Sequence, residues 1–149
     1  MELTLEAFTD EVSGFQEFWA ARDIVKEAIK NRTNFDVEGR AIFLDHFCPW
    51  KKHLYMLEEE NFDNLSVGQV LYCVYKGSGE NDYRIQCVSQ SENSFENRKS
   101  LPESWCGIRG DELVKVSNIN DINFCHVSGF IGGAKSRPAV LKMLEKALE

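Results

Sequence analysis

The run Phe124-Cys125-His126-Val127-Ser128-Gly129-Phe130-Ile131-Gly132-Gly133-Ala134-Lys135-Ser136-Arg137, followed directly by Pro138, restricts the fold more than any other part of the chain. An apolar start, a glycine-rich middle and a proline heading an apolar-periodic tail read as strand, loop and helix start. Glycine permits positive φ and close approach of the backbone to a ligand, and Pro138 suits the first turn of a helix. The free N–H groups and positive dipole end of such a turn attract anions, and Lys135 and Arg137 add charge of the right sign. Two readings stand side by side: an ordinary tight turn between a buried strand and a helix, or a phosphate site. The run has neither the GxGxxG nor the Walker spacing, so it suggests an anion without naming one.

The elements before this run are read from periodicity. Leu5, Phe8, Val12, Phe15 and Trp19 fall at helical spacing, and Phe18, Val25, Ala28 and Ile29 extend the apolar face through Lys30, as one long helix or two meeting near Gly14. Arg40 to Leu44 reads as a strand, and Pro49 to Glu60 as a helix with Leu54 and Leu57 on one face. Val70–Tyr75 and Tyr83–Val88 are β-rich and joined by Lys76-Gly77-Ser78-Gly79-Glu80-Asn81-Asp82, which predicts an antiparallel hairpin. The second of these strands alternates, with Tyr83, Ile85 and Cys87 on one side and Arg84 and Gln86 on the other. One sheet face is therefore expected to be polar or ligand-facing.

Ser89 to Gly110 is polar and longer than an ordinary connection, and it carries Phe95, Arg98, Lys99, Pro102, Trp105 and Arg109. An aromatic beside several cations can stack a base and pair a phosphate, whereas the plain alternative has Trp105 plugging the core with the charges in water. A short helix over Asp111–Val116 with Leu113 and Val116 inward, a last strand over Ile122–Val127, and a final helix with Val140, Leu141, Leu144 and Leu148 as its stripe complete the expectation. This is an α+β chain with a mixed or largely antiparallel sheet and flanking helices. It reads as one domain over 1–149, with a helical segment over 1–31 and an α+β core over 32–149.

A formal net charge of −7 argues against broad affinity for nucleic acid or anionic membranes, so any nucleic-acid contact must be a local patch. The five cysteines are scattered without a CxxC pair, which favours reduced thiols in a cytosolic-type compartment. No apolar run approaches the ~18 residues needed to span a membrane. His46, Cys48 and His53 are metal-capable but match no zinc pattern. Asp45-His46-Phe47 lacks the second histidine of an Asp-His-His triplet, and no GxSxG surrounds Ser128. His126 reads equally as a donor to phosphate or as a hydrogen-bonded, half-buried residue.

Several uncommon strings follow one another in the chain in one order. These strings are Trp19-Ala20-Ala21-Arg22 with Ile24-Val25, Gly39-Arg40, Cys48-Pro49-Trp50-Lys51-Lys52-His53-Leu54 through Glu58-Glu59-Glu60, and Arg84-Ile85-Gln86-Cys87-Val88. To these are added Phe95-Glu96-Asn97-Arg98-Lys99-Ser100-Leu101-Pro102-Glu103-Ser104-Trp105, Gly107-Ile108-Arg109, and His126 to Arg137. On these strings, the last group most closely, the chain resembles the melanocyte-proliferating-gene protein family, labelled as metal-dependent hydrolases and related to DHH phosphoesterases.

The resemblance covers nearly the whole chain, as the C-terminal portion of the family's proteins. It implies 3′-to-5′ RNA exonucleases of nucleus and mitochondria in which an N-terminal DHH-like half holds the divalent metal, Mn or Mg, and a C-terminal half grips the terminal nucleotide. The implied contacts are His126, Ser128, Gly132, Gly133, Lys135 and Arg137, with Arg98 and Arg109 neutralising phosphate and Trp105 stacking a base. Ala134, Cys106 and Gly110 depart from the family pattern. Because the family's metal motifs are absent, this chain is expected to bind a short single-stranded RNA or a nucleotide phosphate and not to hydrolyse it alone. The alternative is a protein-interaction module derived from that family.

Overall fold

The computed structural model describes residues 17–149. The helical reading of Leu5, Phe8, Val12 and Phe15 lies outside the described residues. Helix α1 covers 17–30 and is followed by β1 (Ala41–Leu44), α2 (Lys51–Glu59), β2 (Tyr72–Lys76), β3 (Tyr83–Cys87), α3 (Gly110–Ser117), β4 (Ile122–Cys125), β5 (Ile131–Ala134) and α4 (Arg137–Leu148). The five strands form one mixed sheet in the order β1-β2-β3-β5-β4. Only β1 and β2 run parallel, and α2 lies on the crossover between them; the other pairs are antiparallel. The α+β class expected from the sequence is the class observed.

Each face of the sheet has its own apolar layer. On one face Ala41, Phe43, Tyr72, Val74, Ile85 and Cys87 pack with Leu113 of α3 and with Ala139, Val140, Met143 and Leu144 of α4. On the other, Ile42, Leu44, Cys73 and Tyr75 pack with Val25 and Ile29 of α1 and Leu54 and Leu57 of α2. β1 and β2 are thus covered on both sides, which is why their residues read as unbroken apolar runs. The second layer takes nothing from β3, β5 or β4, so among the described residues that half of the face has no helix over it.

Two sequence expectations fail here. Val116 points outward at 45% exposure, and Ser117 is buried beside Leu113 instead. More consequentially, β4 is not the last strand, because the glycine-rich stretch expected to be a loop is β5 itself. Glycine carries no side chain to pack and weakens strand propensity, so Ile-Gly-Gly-Ala has no local strand signal. Packing demands it nonetheless. A Cβ on Gly132 would meet Met143 Cε at 3.0 Å and Leu101 Cδ1 at 3.1 Å, and one on Gly133 would drive into the Phe124 ring. A turn held by Gly129 N–H to His126 C=O (2.9 Å) joins β4 to β5, with Gly129 at φ +73°. Pro138 does sit in the first turn of α4, and Ser136 Oγ caps that helix by accepting from the Ala139 amide at 3.3 Å.

His53 is 2% exposed, its ring 4.4 Å from that of Phe18, and its Nδ1 has no hydrogen-bond partner. Burial lowers its pKa below the ordinary 6.5, and the charges of Arg22 and Lys52 push the same way. Above about pH 6.5 the ring is neutral in both folded and unfolded chains. As pH falls below that value the unfolded chain takes up the proton first, so stability declines, by at most about 1.4 kcal/mol per pH unit, until the folded-state pKa is reached. Urea melts from about pH 7.5 to pH 5 are expected to show a shallower decline in His53→Phe than in the wild type, and parallel curves would refute it.

Candidate nucleic-acid interface

The burial of β3 alternates as the sequence predicts, with Ile85 and Cys87 in the core and Arg84 and Gln86 half-buried on the opposite face. Arg84 is the centre of a row running straight across the sheet. Leu44 pairs with Tyr75, Tyr75 with Arg84, Arg84 with Gly133, Gly133 with Phe124, and Phe124 with Arg109. Paired residues share a face, so the uncovered half of this row is Arg84, Gly133, Phe124 and Arg109. The Phe124 ring lies over Gly133, where any side chain would displace it. The Arg84 guanidinium stands 5.8 Å from the ring centroid, with Nε 3.2 Å from Asp82 Oδ1.

Arg109 reaches the row through a β-bulge. Gly107 N–H donates to Cys125 C=O at 3.0 Å and Cys125 N–H to Ile108 C=O at 3.1 Å, so two residues oppose one, with Gly107 at φ +78° as a bulge glycine requires. Arg109, Asn123 and Phe124 line a shallow hollow of about 280 Å³.

The next row holds Gln86, whose amide oxygen accepts from Tyr75 O–H at 3.2 Å, then Ile131, then His126, whose N–H donates to Ile131 C=O at 2.9 Å. His126 Nδ1 accepts the Ser128 amide proton at 3.1 Å and lies 2.9 Å from Ser128 Oγ. A backbone amide only donates, so Nδ1 is the acceptor and the neutral ring carries its proton on Nε2. An exposed donor thereby stands at this end of β5. Phe130 meets the His126 ring edge to face at 4.8 Å and is 37% exposed. Lys135 and Arg137 are exposed at the other end of β5, about 13 Å along the strand from His126 at 3.3 Å per residue. Arg137 there lies over the Phe43 ring at 4.5 Å and 3.9 Å from Asp45 Oδ1.

The nine residues predicted from sequence therefore divide. His126, Ser128, Lys135, Arg137 and Arg109 are exposed, but the histidine pair and the basic pair flank β5 and do not share one loop. Gly132 and Gly133 sit between β3 and β4 with their backbone in the ladders, so they form no anion-cradling loop. Gly133 contributes the flat floor under Phe124.

Arg98 is not free for phosphate: both its terminal nitrogens contact the Glu58 carboxylate at 2.7 Å, with side chains 5% and 1% exposed. Trp105 is 3% exposed within the α3–α4 layer and cannot stack a base. Arg84, Phe124 and Phe130 are not among the residues the sequence points to as site members, although the alternation of β3 places Arg84 on a polar or ligand-facing side. Elsewhere, His46 faces a groove of about 600 Å³ with Asp45, Lys76, Glu80, Asp82 and Arg84, while Cys48 and His53 line a separate hollow beside α1.

Single-strand nucleic-acid platforms stack bases on aromatic rings and neutralise phosphates with cations, and this uncovered face carries groups of both kinds in Phe124, Arg84 and Arg109. Residues 1–148 match the family model MYG1_exonuc, described as an uncharacterised protein family (UPF0160). The chain belongs to this family. It is 38% identical over 150 residues to the MYG1 exonuclease of Rattus norvegicus, covering 99% of this chain and 38% of that protein. The Homo sapiens MYG1 exonuclease gives 38% identity over 150 residues, covering 99% and 39%, and the Dictyostelium discoideum MYG1 protein 38% over 149 residues, covering 99% and 44%. The chain thus spans less than half the length of these relatives. No solved structure matches it.

Proposed function

We propose that this chain is the substrate-holding portion of a nuclease-family protein and that the open β3-β5-β4 face holds a short single-stranded RNA. The observation that carries the reading is the Arg84-Gly133-Phe124-Arg109 row, in which glycine lets an aromatic ring lie flat between two cations on a face no described helix covers. Phe124 offers a surface for a base, Arg84 and Arg109 neutralise flanking phosphates, and Lys135 extends the positive charge along the strand, whereas Arg137 lies over Phe43 on the α3–α4 side of the sheet. His126 Nε2–H and Ser128 orient an oxygen at the opposite end. The names of the relatives as exonucleases support a nucleic-acid substrate. Hydrolysis, and the divalent Mn or Mg it uses by the family resemblance, fall in this reading to the remaining length of the longer proteins, a DHH-like half. In this chain the residues hold and orient.

Titration with a short single-stranded RNA, followed by amide NMR, tests it. Arg84, Arg109 and Lys135 are three phosphate partners, so the logarithm of affinity should fall against that of salt with a slope of about 2. Phe124→Ala should weaken binding by about 5- to 150-fold, the range for losing one stacked base. Shifts that spare Gly133, Phe124 and Arg109, or none at all, would refute the assignment.

A further inference from the structure

Cys87, Cys106 and Cys125 lie close together beneath the turn that carries His126 and Ser128. Cys87 Sγ donates to Gly129 C=O at 3.2 Å, and Cys106 Sγ stands 3.0 Å from where a Cβ of Gly129 would be. The bulge at Gly107, whose N–H donates to Cys125 C=O at 3.0 Å, sets Cys106 beside Cys125. We propose that Cys106 and Cys125 are an oxidisable pair, which hydrogen peroxide converts to a disulfide that re-packs the base of the His126–Ser128 turn. Cys106 is partly exposed, whereas Cys87 and Cys125 are 3% exposed, so Cys106 meets the oxidant first. Burial pushes the Cys87 and Cys125 thiols up to about 12, which keeps both protonated and unreactive towards peroxide directly.

The chemistry balances in two steps. The Cys106 thiol and peroxide give a sulfenic acid and water. Cys125 sulfur then attacks that sulfur, its proton leaves with the hydroxyl as a second water, and the S–S bond forms. Two electrons pass from the sulfurs to peroxide. Cys125 is the partner because its own contact, with His126 C=O at 3.7 Å, is long, whereas Cys87 is engaged at 3.2 Å.

Peroxide treatment of the whole chain, followed by alkylation and non-reducing peptide mapping, is expected to show loss of two hydrogens and one cross-link joining Cys106 to Cys125, reversed by dithiothreitol. In Cys125→Ala, dimedone should trap the sulfenic acid on Cys106, and in Cys106→Ser no link should form. The amides of Ser128 and Gly129 should shift on oxidation of the wild type and stay in place in Cys106→Ser. A bridge through Cys87, stepwise over-oxidation of Cys106 without a bridge, no reaction, or a bridge that leaves those amides unmoved would each overturn the proposal.

Discussion

Arg98→Ala is expected to lower the free energy of unfolding by about 3–5 kcal/mol, the cost of leaving one member of a buried ion pair without its partner. Glu58 is enclosed at 1% side-chain exposure, and Arg98 meets its two oxygens in the paired geometry that a guanidinium fork supplies. The same guanidinium donates to Val70 C=O at 2.9 Å and lies over the Tyr55 ring at 5.3 Å, so its loss also strands a carbonyl and opens a face of the ring. Arg98→Lys should recover only part of the loss, because an ammonium is a point charge that cannot bridge both oxygens. Glu58→Leu with Arg98→Met should recover most of it, since replacing both members leaves no buried charge. Urea melts measure each of these. A contact to phosphate would behave in the opposite way, with RNA affinity falling at unchanged stability, and that result would reverse the structural assignment of Arg98.

Trp105→Ala should cost a comparable amount, about 3–5 kcal/mol, as a large aromatic removed from a close-packed layer leaves a cavity its neighbours only partly fill. Trp105 closes a short 3₁₀ turn, Glu103–Trp105, and packs in the same layer as Leu101, Leu113 and Met143. Pro102 leads into that turn and accepts the Trp105 N–H at 2.9 Å, so the indole is aimed inward by its local backbone. For a chain of this size the loss corresponds to a fall in melting temperature of roughly 10–20 °C. Trp105→Phe should retain much of the midpoint. Calorimetry checks both, and a Trp105→Ala protein that melts normally but loses RNA would restore the stacking role that its burial argues against.

The family resemblance implies substrate contacts for both residues, while the polar segment by itself, with its cations and an aromatic, fits either a binding loop or one in which Trp105 plugs the core. What separates the two is the partner. Glu58 lies 40 positions away from Arg98 on α2, and no spacing within Ser89–Gly110 reveals it. His126 and Lys135 posed a related difficulty. Nine positions apart in a presumed loop they can share one anion, but a strand between them holds them at opposite ends of β5.

The sequence by itself determined the elements whose signal is local. The alternation of Tyr83–Cys87, the apolar runs of β1 and β2, the Leu54–Leu57 face of α2 and the proline at the start of α4 each follow from a period or a backbone constraint that neighbours in the chain already satisfy. The polar face bearing Arg84 was legible for the same reason. Only the tertiary structure decided that Gly132 and Gly133 form a strand, that Phe124 lies flat across one of them beside Arg84, and that Arg98 and Trp105 face inward. Each of these depends on atoms brought together across the sheet from distant positions: glycine is required there by the space that Met143, Leu101 and Phe124 occupy, and such excluded volume leaves no periodic trace in the chain.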